Sequence, residues 1–364
     1  MIEVLIVLII ASLATSILGV FLVLRNQAMT TDAISHTILL GIVLAFFITQ
    51  DIRSPLLIIG AALVGVLTVY LIQLINQTDL IKNDASIGIV FTALFALAVI
   101  LISRYADHVH LDIDVVIAGE VLFAPLNRIE VFGFSIPRAL WQLGILLIVN
   151  GAFVALFYKE LKVSSFDPKF AYVIGFSTTL IYYMLMTLVS ITAVAAFDAV
   201  GAILVINFFV APVLTAYLIV KRLDHLIYLT ALFAVLNSTL GYLIGYNLDL
   251  SMSGATASVA FIIFTIVFLF KPDGYIVLKI KKRRQRKEFM HAMILMLMNE
   301  DEHETVTPGE ISRHFSLTEP ETKKQLETLE VEGYVTRAED RYRLTVRGEE
   351  FTHYSRIKYG LKAH

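Results

Sequence analysis

Apolar residues run almost without a break from Ile2 to Leu24, and runs of similar length recur as far as Phe270, where the pattern changes. A helix needs about 20 mostly apolar residues to cross a bilayer. That rule marks candidate spans at 2–24, 33–49, 55–76, 86–103, 139–158, 174–196, 199–220, 226–246 and 254–271. The pattern predicts an all-α polytopic membrane protein of about 8–9 transmembrane helices. After Phe270, Lys271-Pro272-Asp273-Gly274 should break the helix, and the polar, periodic stretch from 288 onward reads as a separate soluble α+β domain. The expected organisation is a membrane domain over 1–271, a basic linker over 272–287 and a small domain over 288–364.

Charge in the loops orients the spans, because cytoplasmic loops collect Lys and Arg. Lys159, Lys162 and Lys169 share one loop, Lys221 and Arg222 another, and Lys279–Lys287 (KIKKRRQRK) follows the last span. Nine alternating spans put all three, with Arg25 and Lys82, on the cytoplasmic side, and leave Arg53, Arg104, Arg128 and Arg138 outside. The basic run suits a cytoplasmic leaflet of anionic lipid. Residues 104–138 are the weak point of this map. Val115–Phe123 is too short to span and reads as a surface helix or a re-entrant segment; if it crosses, the N-terminal half inverts. Met1–Val23 lacks a basic leader region and reads as a retained helix.

Composition narrows the chemistry. The chain has 364 residues, 57% of them hydrophobic and 16% charged, and no cysteine. Thiolate sites and disulfides are excluded, leaving Asp, Glu and His as metal donors. No phosphate-binding G-x-x-x-x-G-K-[ST] loop occurs, nor H-E-x-x-H or G-x-S-x-G, so ATP hydrolysis or proteolytic chemistry is not expected of this chain.

Within the second span, Asp32 and His36 stand four residues apart and share a helix face. Ionisable groups at membrane depth cost about 2.5–3.5 kcal/mol each and tend to be functional. A carboxylate oxygen with an imidazole nitrogen suits Mn²⁺, Zn²⁺ or Fe²⁺. The plainer alternative is a helix cap at Asp32 and a carbonyl bond from His36. Elsewhere, Asp167-Pro168 reads as an N-cap and first-turn proline, with Phe166 as an apolar knob beside it and Gly175 allowing close packing at the next helix entrance. Pro212 should loosen its helix, and Gly201 and other small residues permit tight contact. Asp198 stands where it could cap that helix. His108, His110, Asp112, Asp114 and Glu120 gather donors in one polar loop, which could equally be a solvated surface.

The segment TTDAISHTILLGIVLAF around Asp32–Gly41 resembles the DALSHA-type motif of bacterial ABC-transporter permeases for zinc, manganese and iron. The resemblance implies that Asp32 and His36 are the metal-binding pair in the translocation path. The family often has proline before the glycine, where this chain has Leu40 before Gly41. Val109–Glu120 is similar to manganese- and iron-type members and implies a surface where metal or its carrier docks. Lys159–Gly175 is similar to the segment that sits in a groove of the ATPase subunit, implying coupling roles for Phe166, Asp167, Pro168 and Gly175. Val200–Leu218 also matches, with Gly201 and Pro212 among its marks.

In the tail, 307–349 reads as two helices, a hairpin near Ala338-Glu339-Asp340 and a last helix, with Leu326, Leu329 and Val331 buried. That order resembles winged-helix metalloregulators of the diphtheria-toxin-repressor type. Glu319, Glu321, Glu327, Glu330 and Glu332 crowd the would-be recognition helix, which argues against nucleic acid. A protein-contact or regulatory role fits better, with His291, His303 and His314 either sensing metal or standing as plain surface residues.

The resemblance implies a permease subunit of an ATP-driven importer of divalent metal, manganese slightly ahead of zinc or iron. It is no enzyme itself and has no permanently bound cofactor. Its implied partners are an ATPase subunit that supplies ATP hydrolysis, an extracellular binding lipoprotein or periplasmic binding protein, and a second copy or sister permease, in the bacterial plasma membrane. The alternatives are an ion-gradient-driven transporter and a membrane-tethered regulator that binds DNA.

Overall fold

The computed structural model describes residues 2–360 apart from 52, 53, 55, 79, 106–120, 132, 273, 301–304 and 316. Two compact units divide the chain at Lys271 and Pro272.

The first unit is helical. Its elements are α1 (Ile2–Leu24), α2 (Met29–Thr49), α3 (Leu56–Asn76) and α4 (Asn83–Tyr105), then a 3₁₀ turn (Val121–Leu126) and a hairpin of β1 (Arg128–Val131) and β2 (Phe134–Pro137). After them come α5 (Arg138–Leu156), α6 (Tyr158–Phe166), α7 (Pro168–Val173), α8 (Thr178–Val200), α9 (Ala202–Tyr217), α10 (Leu223–Asn247) and α11 (Met252–Phe270). Among the described residues eight helical stretches are long and apolar enough to cross a membrane, and the shorter apolar helix α9 is added to them. The chain is a multi-pass membrane protein.

Side-chain bonds fix which ends lie together. Arg128 pairs with Glu3 at 2.9 Å, setting the hairpin beside the start of α1. Arg25 donates to Ser164 at 2.7 Å and Ser165 at 3.1 Å, setting α6 beside the end of α1. Asn83 reaches the Asn26 carbonyl, so α4 starts at that same end. Ser253 donates to the Val200 carbonyl, and Lys271 to the Leu218 carbonyl. Among the described residues, helices α1–α5 and α8–α11 therefore alternate in direction, making nine strokes. A 23-residue α4 that starts at one face ends at the other, where Arg128 also sits. Arg104 and Arg128 therefore share a face, and most of the segment between them, 106–120, lies outside the described residues. One face then carries Arg25, Lys82, Lys159, Lys162, Lys169, Lys221, Arg222 and Lys271; the other carries Arg104, Arg128 and Arg138.

α1 is the centre of this unit. It packs on α5, α8, α9 and α10 and buries Val7, Leu8, Leu18 and Phe21 completely. Polar side chains lock the bundle from within: Asn150 donates to the Ala14 carbonyl and to Thr192, and Ser190 to the Ala62 carbonyl. In an apolar surround, such groups are costly unless paired, and pairing fixes helix register. The tightest crossing is α2 on α3. A Cβ on Gly41 would run into the Gly60 carbonyl, and one on Gly60 would lie 2.7 Å from the Gly41 oxygen. Asp198 lies in the last turn of α8 and caps nothing; Gly201, at φ +82°, separates α8 from α9, and that backbone favours glycine. α9 runs on through buried Pro212.

The second unit contains α12 (Tyr275–Glu300), α13 (Pro308–Phe315), α14 (Glu319–Val331), the β3 (Val335–Ala338) and β4 (Arg341–Leu344) hairpin, and α15 (Val346–Lys358). Lys279–Lys287 is the first half of α12, helical and exposed. The core joins Ile294, Leu295 and Met298 to Ile311, Leu326, Leu329, Val335 and Tyr342, and Val306 bridges to Tyr342 as an extra strand partner. Val331, expected inside, is 88% exposed. It follows Leu329 by two positions, so it falls on the opposite side of α14.

Candidate functional site

α2 begins at Met29, and Asp32 sits in its first turn, where the helix dipole favours a carboxylate. One turn on, His36 Nε2 lies 3.4 Å from Asp32 Oδ1. The carboxylate thus faces the imidazole and makes no cap. The ring stacks on Phe91 of α4, centroids 5.6 Å apart, and meets the edge of Phe95 at 5.8 Å. These walls hold the imidazole plane. The rest of α2 is anchored by Thr37, which accepts from Thr68 of α3 at 2.8 Å. Both side chains of the pair stay open: 34% of Asp32 and 39% of His36 is exposed. The pair lies one to two turns in from the face rich in Lys and Arg.

The two side chains offer one carboxylate and one imidazole. Among the described residues no three His, Asp or Glu side chains form a metal-holding group. The pair is therefore half a coordination shell at most, since borderline divalent ions take about four ligands or more. His108, His110, Asp112, Asp114 and Glu120 lie outside the described residues.

At the Lys/Arg-rich face, Asp167 accepts from the Phe170 N–H at 2.9 Å and caps α7, with Pro168 in its first turn. Phe166, Phe170, Tyr172, Val173 and Ile174 project from this corner, each about half exposed or more. Gly175 does not serve close packing: nothing lies within 4 Å of where its Cβ would stand. Its φ of +93° is the reason for glycine, ending α7 in a left-handed turn. Beside Phe166 opens a groove of about 880 Å³ lined by Tyr158, Lys162, Lys221, Arg222 and Tyr228.

Sequence reasoning passed over Arg25 as a structural element. It is half-buried, and burial pushes its guanidinium pKa below the ordinary value, with the Tyr182 hydroxyl opposing. Its partners are serines far along the chain, so no local motif marks it.

In the second unit, His291 is buried, with Nε2 2.9 Å from Gln325 Oε1 and Nδ1 3.5 Å from Glu332 Oε2. Both nitrogens are thus taken by protein partners. His314 is exposed at the end of α13, and His303 lies outside the described residues. All five glutamates from Glu319 to Glu332 are exposed.

Residues 1–271 match the profile of the ABC 3 transport family. The chain belongs to that family. It is 42% identical to the manganese transport system membrane protein MntD of Bacillus subtilis (strain 168), over 77% of this chain and 95% of that one. Identity to the zinc transport system membrane protein TroD of Treponema pallidum (strain Nichols) is also 42%, over 76% of this chain and 75% of the relative. Further relatives are named for manganese and for chelated iron transport. Among solved structures, PsaBC from Streptococcus pneumoniae in complex with Fab aligns with a TM-score of 0.63 and 28% identity, covering 76% of this chain and 94% of that chain. Membership of the family over residues 1–271 does not favour the ion-gradient or DNA-regulator alternatives.

Proposed function

We propose that this protein is the membrane permease subunit of an ATP-driven importer of divalent transition metals, with manganese slightly favoured. The observation that carries the reading is the open Asp32–His36 pair on α2, in a family whose members here are named for manganese and zinc transport. Carboxylate and imidazole donors serve all the candidate ions, so preference among them rests on the relatives' names.

The Lys/Arg-rich face is the cytoplasmic one, in the bacterial plasma membrane, and the second unit lies on that side. One Asp/His pair per subunit supplies two donors, and a second copy or a sister permease across the path supplies two more. Metal arrives from an extracellular binding protein. An ATPase subunit grips α7 and its exposed apolar side chains, with Phe166, Asp167, Pro168 and Gly175 shaping that contact. Support comes from the groove beside Phe166 and the exposed corner around it. The charged first half of α12 rests against anionic lipid. The helix, bridge, two helices, hairpin and helix of the second unit support a winged-helix reading with a regulatory, protein-contacting role.

Metal accumulation by cells expressing the transporter with its partner subunits, each metal competing in turn, tests the reading. Manganese should compete best and zinc or iron less well. Indifference of uptake to all three would refute it.

A further inference from the structure

At the cytoplasmic end of the bundle, three turns are tied together by side chains. Arg25 closes α1 and forks onto Ser164 and Ser165 of α6, at 2.7 and 3.1 Å. The next residue, Asn26, has φ +56°, the left-handed region that asparagine adopts more readily than most residues, and its carbonyl accepts from Asn83 at the start of α4 at 3.5 Å. Asn83 in turn accepts from Asn76 at the end of α3 at 2.6 Å. Asn26 is three residues from Met29, the first residue of α2, and Asp32 follows in the first turn.

A physical path therefore runs from α7 through α6 to Arg25, through a short turn, and into the helix bearing Asp32 and His36. The fork is directional: guanidinium N–H groups on two adjacent hydroxyls resist both sliding and rotation of α6 against α1. The same turn is braced on Asn83 of α4, whose Phe91 and Phe95 flank the His36 ring. Movement of α6 thus pulls on both walls of the metal pair.

We infer that Arg25 is a positioning residue that transmits ATPase-driven movement of α6 and α7 to the Asp32–His36 pair. The inference rests on the reading of α7 as the ATPase contact. It assigns Arg25 no contact with metal and no part in hydrolysis. A linkage of this kind acts on the ratio of transport to hydrolysis, whereas a merely structural role lowers both rates together and leaves their ratio alone.

The test uses the assembled transporter with its ATPase subunit in proteoliposomes, supplied with manganese(II) chloride, with uptake and ATP hydrolysis followed in parallel. Three variants are compared: Arg25→Ala, the milder Ser164→Ala/Ser165→Ala, and Phe166→Ala/Asp167→Ala as a break at the ATPase contact itself. Arg25→Ala and the serine pair should each lower uptake per ATP about tenfold while hydrolysis stays within about twofold, a typical strength for coupling between sites. Arg25→Lys, which keeps the charge without the fork, should recover part of the ratio. An unchanged ratio in both the Arg25 and the serine variants, with the ratio lost in Phe166→Ala/Asp167→Ala, overturns the Arg25 linkage and leaves the ATPase contact standing. An unchanged ratio in all three variants overturns both.

Discussion

His36 is held on three sides: by Asp32 one turn below, by the face of Phe91 and by the edge of Phe95. The aromatic walls keep the imidazole where a metal would meet it, as supporting groups around a ligand commonly do. Phe91→Ala should therefore raise the KM for manganese uptake about tenfold with little change in maximal rate. A maximal rate that falls while KM stays put would contradict that role. The Asp32–His36 contact was legible in the sequence because four-residue spacing on a helix is local geometry. The phenylalanine walls were not, since they come from α4 and depend on how α2 and α4 pack. Arg25 escaped for the same reason.

At the scale of elements, α2 and α3 cross where Gly41 and Gly60 meet backbone to backbone. Gly60→Leu should force the helices apart at a cost of about 1–3 kcal/mol, seen as a lower unfolding temperature of the purified protein. An unshifted transition would mean the crossing can relax.

In the second unit, Thr318 and Glu321 form a reciprocal cap on α14. Hydrogen bonds from the Thr318 hydroxyl and N–H hold Glu321 below the ordinary carboxylate range. A depressed folded-state pKa means the stabilisation is full above the ordinary carboxylate value and is lost as pH falls through the depressed one. Protection of the amides in the first turn of α14, measured relative to their intrinsic exchange rate at each pH, should fall on acidification, and Glu321→Gln should flatten that dependence; an equal dependence in both would remove the cap from the account. The start of α7 was readable from Asp167-Pro168, because capping is written in adjacent residues. Gly175 was misread because its glycine answers to backbone angle, and Val331 because the edge of a helix face is blurred in sequence.

Across the whole molecule, the family profile ends at Lys271, where the first compact unit also ends. A chain stopped at Lys271 should still support manganese uptake at a comparable rate, and its response to metal supply should change; complete loss of uptake would make the second unit part of the transport machinery. The run of spans was legible because membrane helices announce themselves by length; the placing of the β1–β2 hairpin beside the start of α1 was not, because it rests on Arg128 meeting Glu3 from far along the chain. The central claim is that metal passes by way of Asp32 and His36. ATP-dependent manganese(II) uptake into proteoliposomes holding the complete transporter tests it most directly, with Asp32→Asn and His36→Ala beside the unaltered protein. The account predicts loss of uptake in both variants with assembly and ATP hydrolysis retained; uptake at the unaltered rate in both would contradict it.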